Sequence, residues 1–256
     1  MSNRSQESVV SEQFGPQAAA YLASTVHARG EDLQTLAGLV GQRPGASALD
    51  LGCGGGHATF LLASRVAQVI AYDLSDAMID VTRAEAQRRG LGNVAVRQGV
   101  AENIPFADAA FDIVVSRYSV HHWHDAAAGL REAHRVLRPG GLAVFMDVFA
   151  PGAHLTDTWL QTLELLRDPS HVRNYTLAEW HRMLAAAGFG PASTRCYRVE
   201  LQFRSWIERM NTPADHVAAI RALQQGAPQD VQRALDLRED GTFTVDSMLM
   251  YAQRSA

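Results

Sequence analysis

Glycines on alternate positions, set behind a short apolar run, constrain this chain more than any other feature. Residues Ala48 to His57 read Ala-Leu-Asp-Leu-Gly-Cys-Gly-Gly-Gly-His, which places Gly52, Gly54 and Gly56 just after Asp50. Glycine takes positive φ without strain and lets a ligand approach the backbone closely. A second apolar run, Val69-Ile-Ala-Tyr, ends in Asp73. An acid at the end of the strand after such a turn is placed to accept hydrogen bonds from ribose hydroxyls. Together these features predict a nucleoside-bearing cofactor at the mouth of a parallel sheet.

The spacing narrows the cofactor. A dinucleotide site takes Gly-x-Gly-x-x-Gly, with the pyrophosphate on the helix N-terminus. Counted from Gly52, the third glycine of that pattern falls on His57, and the chain reads Gly-x-Gly-x-Gly instead. An NAD-dependent oxidoreductase, which would share the glycines and the ribose acid, is therefore disfavoured. Taken alone, the triplet is also compatible with a plain tight turn between strand and helix.

Strands alternate with helices along the chain. Leu49 to Gly52 ends a first strand, and Thr59 to Ala67 reads as a helix. Val69–Tyr72, Val94–Arg97, Ile113–Ser116 and Leu142–Phe149 read as further strands. Helices fill the gaps, one from Ser75 to Gly90 and one over Ala126 to Leu137. That rhythm predicts a doubly wound α/β sheet. Residues 1 to about 12 read as loose polar chain, and Phe14 to Val40 as helical. Beyond Pro151 the pattern predicts a helix over Asp157–Leu166 and a helix opened by a Thr176–Glu179 capping box. A strand over Cys196–Phe203 follows, then short helices broken at Pro213 and Pro228, and a last strand over Thr242–Ala252.

Further motifs join the glycine turn. Gln98 to Phe106 reads Gln-Gly-Val-Ala-Glu-Asn-Ile-Pro-Phe, and Glu132 to Gly141 reads Glu-Ala-His-Arg-Val-Leu-Arg-Pro-Gly-Gly. With Phe111–Ser116 between them, they stand in the order found in class I S-adenosylmethionine-dependent methyltransferases. The whole chain resembles that family, in its ubiquinone/menaquinone-biosynthesis (type 11) branch. The resemblance implies a Rossmann-like seven-stranded sheet with a final antiparallel strand, N-terminal helices and a helical lid insertion. It implies an N-terminal helical cap over residues 1–44, a cofactor-binding core over 45–150 and the rest of the sheet with its lid over 151–256, as one structural domain. The implied cofactor is S-adenosylmethionine, leaving as S-adenosylhomocysteine. Its implied contacts are Asp50, Gly52, Gly54, Gly56, Asp73, Leu74, Met78, Ala101, Glu102 and Arg117, with Tyr21 on the N-terminal helix. Relatives often carry an acid where Val100 stands, so backbone at Ala101 or the Glu102 carboxylate must hold the adenine here.

Methyl transfer from a sulfonium needs an aligned acceptor in a dry site more than it needs acid–base help. A base serves where the acceptor is protonated, and histidine suits the role. The segment after the fourth strand reads Arg-Tyr-Ser-Val-His-His-Trp-His-Asp from Arg117 to Asp125. His122, or failing that His121, is the expected base or positioning group, with Tyr118 on the acceptor wall and His124 at the surface or capping. Adjacent histidines on extended backbone point opposite ways, so one of the two should face the pocket. No metal is expected, because adjacent histidines without a supporting Cys or acid cluster suit a metal ion poorly. His171, Arg173 and Tyr175 form a second polar knot, readable as an acceptor clamp or as a solvated loop.

Bulk composition fits this reading. The chain has 256 residues, 47% hydrophobic and 20% charged, with a formal charge of −4. Without a basic tract it is not expected to bind nucleic acid. Its two cysteines make no disulfide framework. No apolar run reaches membrane-spanning length. The expectation is a cytoplasmic enzyme acting on a small-molecule acceptor, its oligomeric state open. A cofactor-binding protein without methyl transfer is the alternative from another class.

Overall fold

The computed structural model describes residues 4–15 and 30–255. Its frame is a seven-stranded sheet in the order β3-β2-β1-β4-β5-β7-β6. The strands are β1 (Arg43–Leu51), β2 (Val66–Asp73), β3 (Val94–Gln98), β4 (Phe111–Arg117), β5 (Leu137–Val148), β6 (Ser193–Leu201) and β7 (Phe243–Gln253). Neighbours from β3 to β5 run parallel, and β7 runs antiparallel to both β5 and β6. This is the doubly wound sheet with a final antiparallel strand that the resemblance implies. Chain order reverses between β1 and β4, which opens a crevice beyond their carboxyl ends.

The central strands are apolar on both faces because helices cover both. Leu49, Val114 and Phe145 pack with Leu130 and Trp180 on one side. Ala48, Ile113, Val115 and Val144 pack with Leu36 and Leu62 on the other. Fully burying one such leucine or valine contributes about 1.5–3 kcal/mol.

The helices are α1 (Gln6–Phe14), α2 (Glu31–Val40), α3 (His57–Ala63), α4 (Asp76–Arg88), α5 (Ala126–Val136), α6 (His154–Arg167) and α7 (Leu177–Ala186). Between β6 and β7 stand α8 (Phe203–Arg209), α9 (Ala214–Gln225) and α10 (Gln229–Ala234). The Thr176–Glu179 capping box is present at α7, and Pro213 and Pro228 stand at the N-caps of α9 and α10. The inserted helices share a third core with α6 and β7, built from Leu160, Leu163, Trp206, Ile220, Val231 and Phe243.

Two expectations need correction here. The N-terminal segment is not loose over its first dozen residues: Gln6–Phe14 is helical, capped by Ser5, whose side chain accepts from the Ser8 amide. The helix does not run unbroken from Phe14 to Val40 either, since Phe14 ends α1 and Gly30 is the N-cap of α2. Tyr21 lies outside the described residues. Among the described residues, no helix is long and apolar enough to cross a membrane.

Candidate active site

The turn after β1 is shaped by contacts that leave no room for a side chain at Gly52 or Gly56. Gly52 has φ of +76°, and a Cβ there would sit 1.9 Å from Ser119 Oγ. Gly56 has φ of +82° and backs onto Phe60 and Thr82. The amides of Gly52 and Cys53 both donate to the Tyr72 carbonyl, at 2.8 and 3.0 Å. Asp73 completes the stitching: its Oδ2 accepts from the Gly54 amide at 2.8 Å and its Oδ1 from the Ser75 amide at 2.9 Å. Burial pushes the Asp73 carboxyl above its usual range, against the pull of those amides.

These elements wall a cleft of about 220 Å³. Asp50, Gly52, Gly54, Asp73, Leu74, Met78, Ala101, Glu102 and Arg117 all line it. Asp50 is 1% exposed. Its Oδ2 accepts from Thr59 Oγ1 at 2.6 Å, while its Oδ1 has no partner among the described residues. Burial raises its pKa to about 6. A buried carboxylate oxygen left open on a cleft wall is stabilised by a cationic ligand group such as an ammonium. The open Asp50 oxygen, the glycine-rich turn and Asp73 beside it fit the amino acid and nucleoside ends of S-adenosylmethionine.

Arg117, the last residue of β4, is tied to α2. It donates to Asp32 through Nε at 2.5 Å and through Nη2 at 3.1 Å, both side chains being 6% exposed. Tyr118 follows with φ of +51°, a conformation uncommon for a bulky residue. Its amide donates to the Met146 carbonyl at 2.7 Å, and its hydroxyl is hydrogen-bonded to Ser247. Burial lifts the phenol pKa to about 12, so it stays protonated.

This reversal leads into a 3₁₀ turn over Val120–His122. The His121 and His122 rings lie 4.1 Å apart, centroid to centroid, at 48°. The expectation that they point opposite ways is thus wrong, because it assumed extended backbone. His121 Nδ1 sits 2.6 Å from Asp147 Oδ1, with Asp147 1% exposed inside β5. Burial draws the His121 pKa down, but the Asp147 carboxylate outweighs it and the net shift is upward. His122 is lowered to about 4, first by burial and then by the positive charge of His121. Its Nδ1 is 3.2 Å from both the Ser170 carbonyl and the Ser170 hydroxyl, and its Nε2 lies 3.9 Å from Asp168 Oδ2. The edge of Phe14 meets the His122 ring at 4.9 Å.

Behind the cleft lies a second chamber of about 100 Å³. Phe14, Tyr118 and His122 line both spaces. Apolar side chains of β5, β6, β7 and α8 form much of its wall, with Glu164, Arg167, Asn174 and Arg209 among them.

Comparison with known proteins accords with this geometry. A family model described as a methyltransferase domain matches residues 49–145. The chain is 48% identical to Escherichia coli YafE over 201 residues, covering 78% of this chain and 97% of that protein. It is 37% identical to YcgJ of Bacillus subtilis, described as an uncharacterized methyltransferase, over 202 residues, covering 79% and 80%. The crystal structure of YcgJ superimposes with a TM-score of 0.85 at 31% identity, over 88% of this chain and 99% of that one. The chain belongs to the class I S-adenosylmethionine-dependent methyltransferases. Within them, the ubiquinone/menaquinone biosynthesis C-methyltransferase UbiE of Shewanella is 36% identical over 115 residues, 43% of this chain and 46% of UbiE.

For this methyltransferase, the residues singled out from sequence fall into groups. Most of the cofactor set meets at the cleft, except that Gly56 packs behind the turn and is not among the lining residues. His121 and Tyr118 reach the chamber, and His124 lies exposed on the cleft rim. His171 is buried and bonded through Nε2 to Gln161 Oε1 at 2.8 Å, and burial drives its pKa down to about 2. Tyr175 packs edge-on against Trp180. Arg173 lines neither space: it is 40% exposed and faces Asp157 and Glu179 at 3.4 and 3.6 Å. The acceptor clamp is therefore not assembled by these side chains. Their loop contributes backbone instead, the amides of Val172 and Arg173 donating to the His121 carbonyl at 2.8 and 3.2 Å. Gln6 of α1 adds a bond to the Ser170 carbonyl at 2.7 Å. Sequence reasoning missed Asp147, although an acid inside the apolar run Phe145-Met-Asp-Val was a visible signal. Among the described residues, no group of three His, Cys, Asp or Glu is arranged to hold a metal ion.

Proposed function

We propose that this enzyme binds S-adenosylmethionine in the cleft and methylates a small-molecule acceptor seated in the adjoining chamber. The observation that carries the reading is that His122 and Tyr118 line both spaces. The residues that would hold the cofactor are Asp50 toward its ammonium, Asp73 toward its ribose, and the Gly99–Ala101 backbone with Glu102 toward its adenine. When bound, it supplies an electrophilic methyl group that needs no covalent enzyme intermediate. The chain's own residues align the acceptor and exclude water.

His122 is the group that meets the acceptor. In the tautomer with its proton on Nδ1, its Nε2 accepts a hydrogen bond from an acceptor O–H or N–H. A base with a pKa near 4 does not strip a hydroxyl or a carbon acid beforehand. It does take a proton that becomes acidic as the new bond to carbon forms. Tyr118 remains a protonated wall residue, and burial, with His121 beside it, lowers the His122 pKa. The net charge of −4 and a chamber of only about 100 Å³ support a small metabolite over a nucleic acid. The test is methyl transfer from labelled S-adenosylmethionine across a metabolite panel, with His122→Gln run in parallel. Label in an acceptor with wild type and its loss in the variant support the reading; equal labelling by both removes His122 from it.

A further inference from the structure

We propose that the chamber beside His122 is a carboxylate-binding subsite, so that the methyl acceptor is a compact carboxylic acid. This rests on the reading of the neighbouring cleft as the methyl-donor site.

Hydrocarbon makes up one side of the chamber. Val148, Val199, Leu201, Val245 and Trp206 supply it from three strands and α8. The other side is polar and carries two guanidinium groups. Arg167, Arg209 and His121 line the space, against Glu164 as the acid on its wall. Asp147, which holds His121 in its raised state, sits behind that ring and is not among the lining residues. Arg167 is fixed rather than flexible. Its Nε donates to the Trp206 carbonyl at 3.0 Å, and its guanidinium stands 5.1 Å from the Trp206 ring centroid. Its nearest acid, Glu164, is 3.6 Å away, longer than a hydrogen bond. Burial holds the Glu164 carboxyl above its usual range, which weakens it as a counter-charge.

A second observation is independent of charge. Asn174 is 1% exposed and lines the chamber. Its backbone amide and carbonyl are both engaged by the Gln161 side chain, at 3.1 and 2.8 Å. Its side-chain Nδ2 is buried with no hydrogen-bond partner among the described residues. A buried donor without an acceptor is costly, and a ligand oxygen removes that cost. A fixed guanidinium, an unsatisfied amide donor and a hydrocarbon wall together suit a planar carboxylate on a compact apolar body. A chamber of this size with one hydrocarbon side suits a carboxylate better than a phosphate.

The test is calorimetric titration of the full chain, with and without S-adenosylhomocysteine, using benzoate and hexanoate, each against its own amide. Each acid should bind about tenfold or more tightly than its amide, the scale of one charge-assisted hydrogen bond. Asn174→Leu, which keeps the backbone bonds to Gln161, should remove most of that preference. Arg167→Met should do the same but also loses the bond to Trp206, so Asn174→Leu is the deciding variant. Equal binding of acids and amides, or an unchanged preference in Asn174→Leu, overturns the proposal. Inorganic phosphate binding more tightly than either acid overturns the choice of carboxylate. Acid preference without S-adenosylhomocysteine binding overturns the cofactor reading and leaves the subsite standing; the reverse result overturns the subsite alone.

Discussion

His121 Nδ1 lies 2.6 Å from Asp147 Oδ1, while the His121 ring stands 4.1 Å from that of His122, tilted by 48°. Burial and the Asp147 carboxylate thus shift two adjacent imidazoles in opposite directions. Asp147 raises His121, and burial with the neighbouring positive charge brings His122 to about 4.

The first prediction is the sign of a pH effect on stability. A histidine whose folded pKa is depressed takes its proton later than the unfolded chain does. Its contribution is complete above about pH 6.5 and is lost as pH falls from there toward 4. His121, raised, behaves oppositely: its contribution is complete below about pH 6.5 and is lost as pH rises through its folded value. Replacing His122 by Gln should flatten the acid limb by up to about 3 kcal/mol between pH 6.5 and 4, relative to wild type. Denaturant unfolding of both proteins across that range measures it, and parallel profiles would contradict the assignment.

Kinetics give the second prediction. His122→Gln should lower kcat on the true acceptor by about 10²–10⁴-fold, or about 3–5 kcal/mol of barrier. His121→Ala removes the charge that depresses His122, so the acid limb of its rate profile should move to higher pH. An unmoved limb would show that the two rings are not coupled.

Gly52 provides a third. Gly52→Ala puts a Cβ 1.9 Å from Ser119 Oγ at a φ of +76°. The backbone strain alone costs about 1–3 kcal/mol. Both thermal stability and cofactor affinity should fall, whereas Gly54→Ala, whose Cβ meets nothing within 4 Å, should lose less stability. Equal losses at the two positions would argue against the contact with Ser119.

Arg173 tests the corrected clamp. Its partial exposure and long ion pairs place the worth of those pairs at about 0–1 kcal/mol. Arg173→Ala should leave both stability and the acceptor KM near wild type, by unfolding and steady-state rates. A KM rise of about tenfold or more would restore it to the acceptor site.

Local patterns carried the legible part of this molecule. Gly52, Asp73 and the capping box at Thr176 act through neighbours a few residues away or one strand on, and sequence reading placed them. α1 was not legible because it buries none of its own residues. Its order comes from distant contacts, such as Gln6 to the Ser170 carbonyl and Gln13 to the Met210 carbonyl. The common orientation of His121 and His122 depends on one unusual φ at Tyr118, which residue type does not announce. The chamber draws Tyr118, Arg167, Asn174, Trp206 and Val245 from distant parts of the chain, and only the fold brings them together.

The cofactor claim is tested most directly by calorimetric titration of the protein with S-adenosylhomocysteine and, separately, with NAD. S-adenosylhomocysteine should bind, and at 100 times its Kd should stabilise the fold by about 2.7 kcal/mol. Asp73→Ala should weaken that binding by about 1–3 kcal/mol, and NAD should not bind measurably. Binding of NAD without binding of S-adenosylhomocysteine would contradict the account.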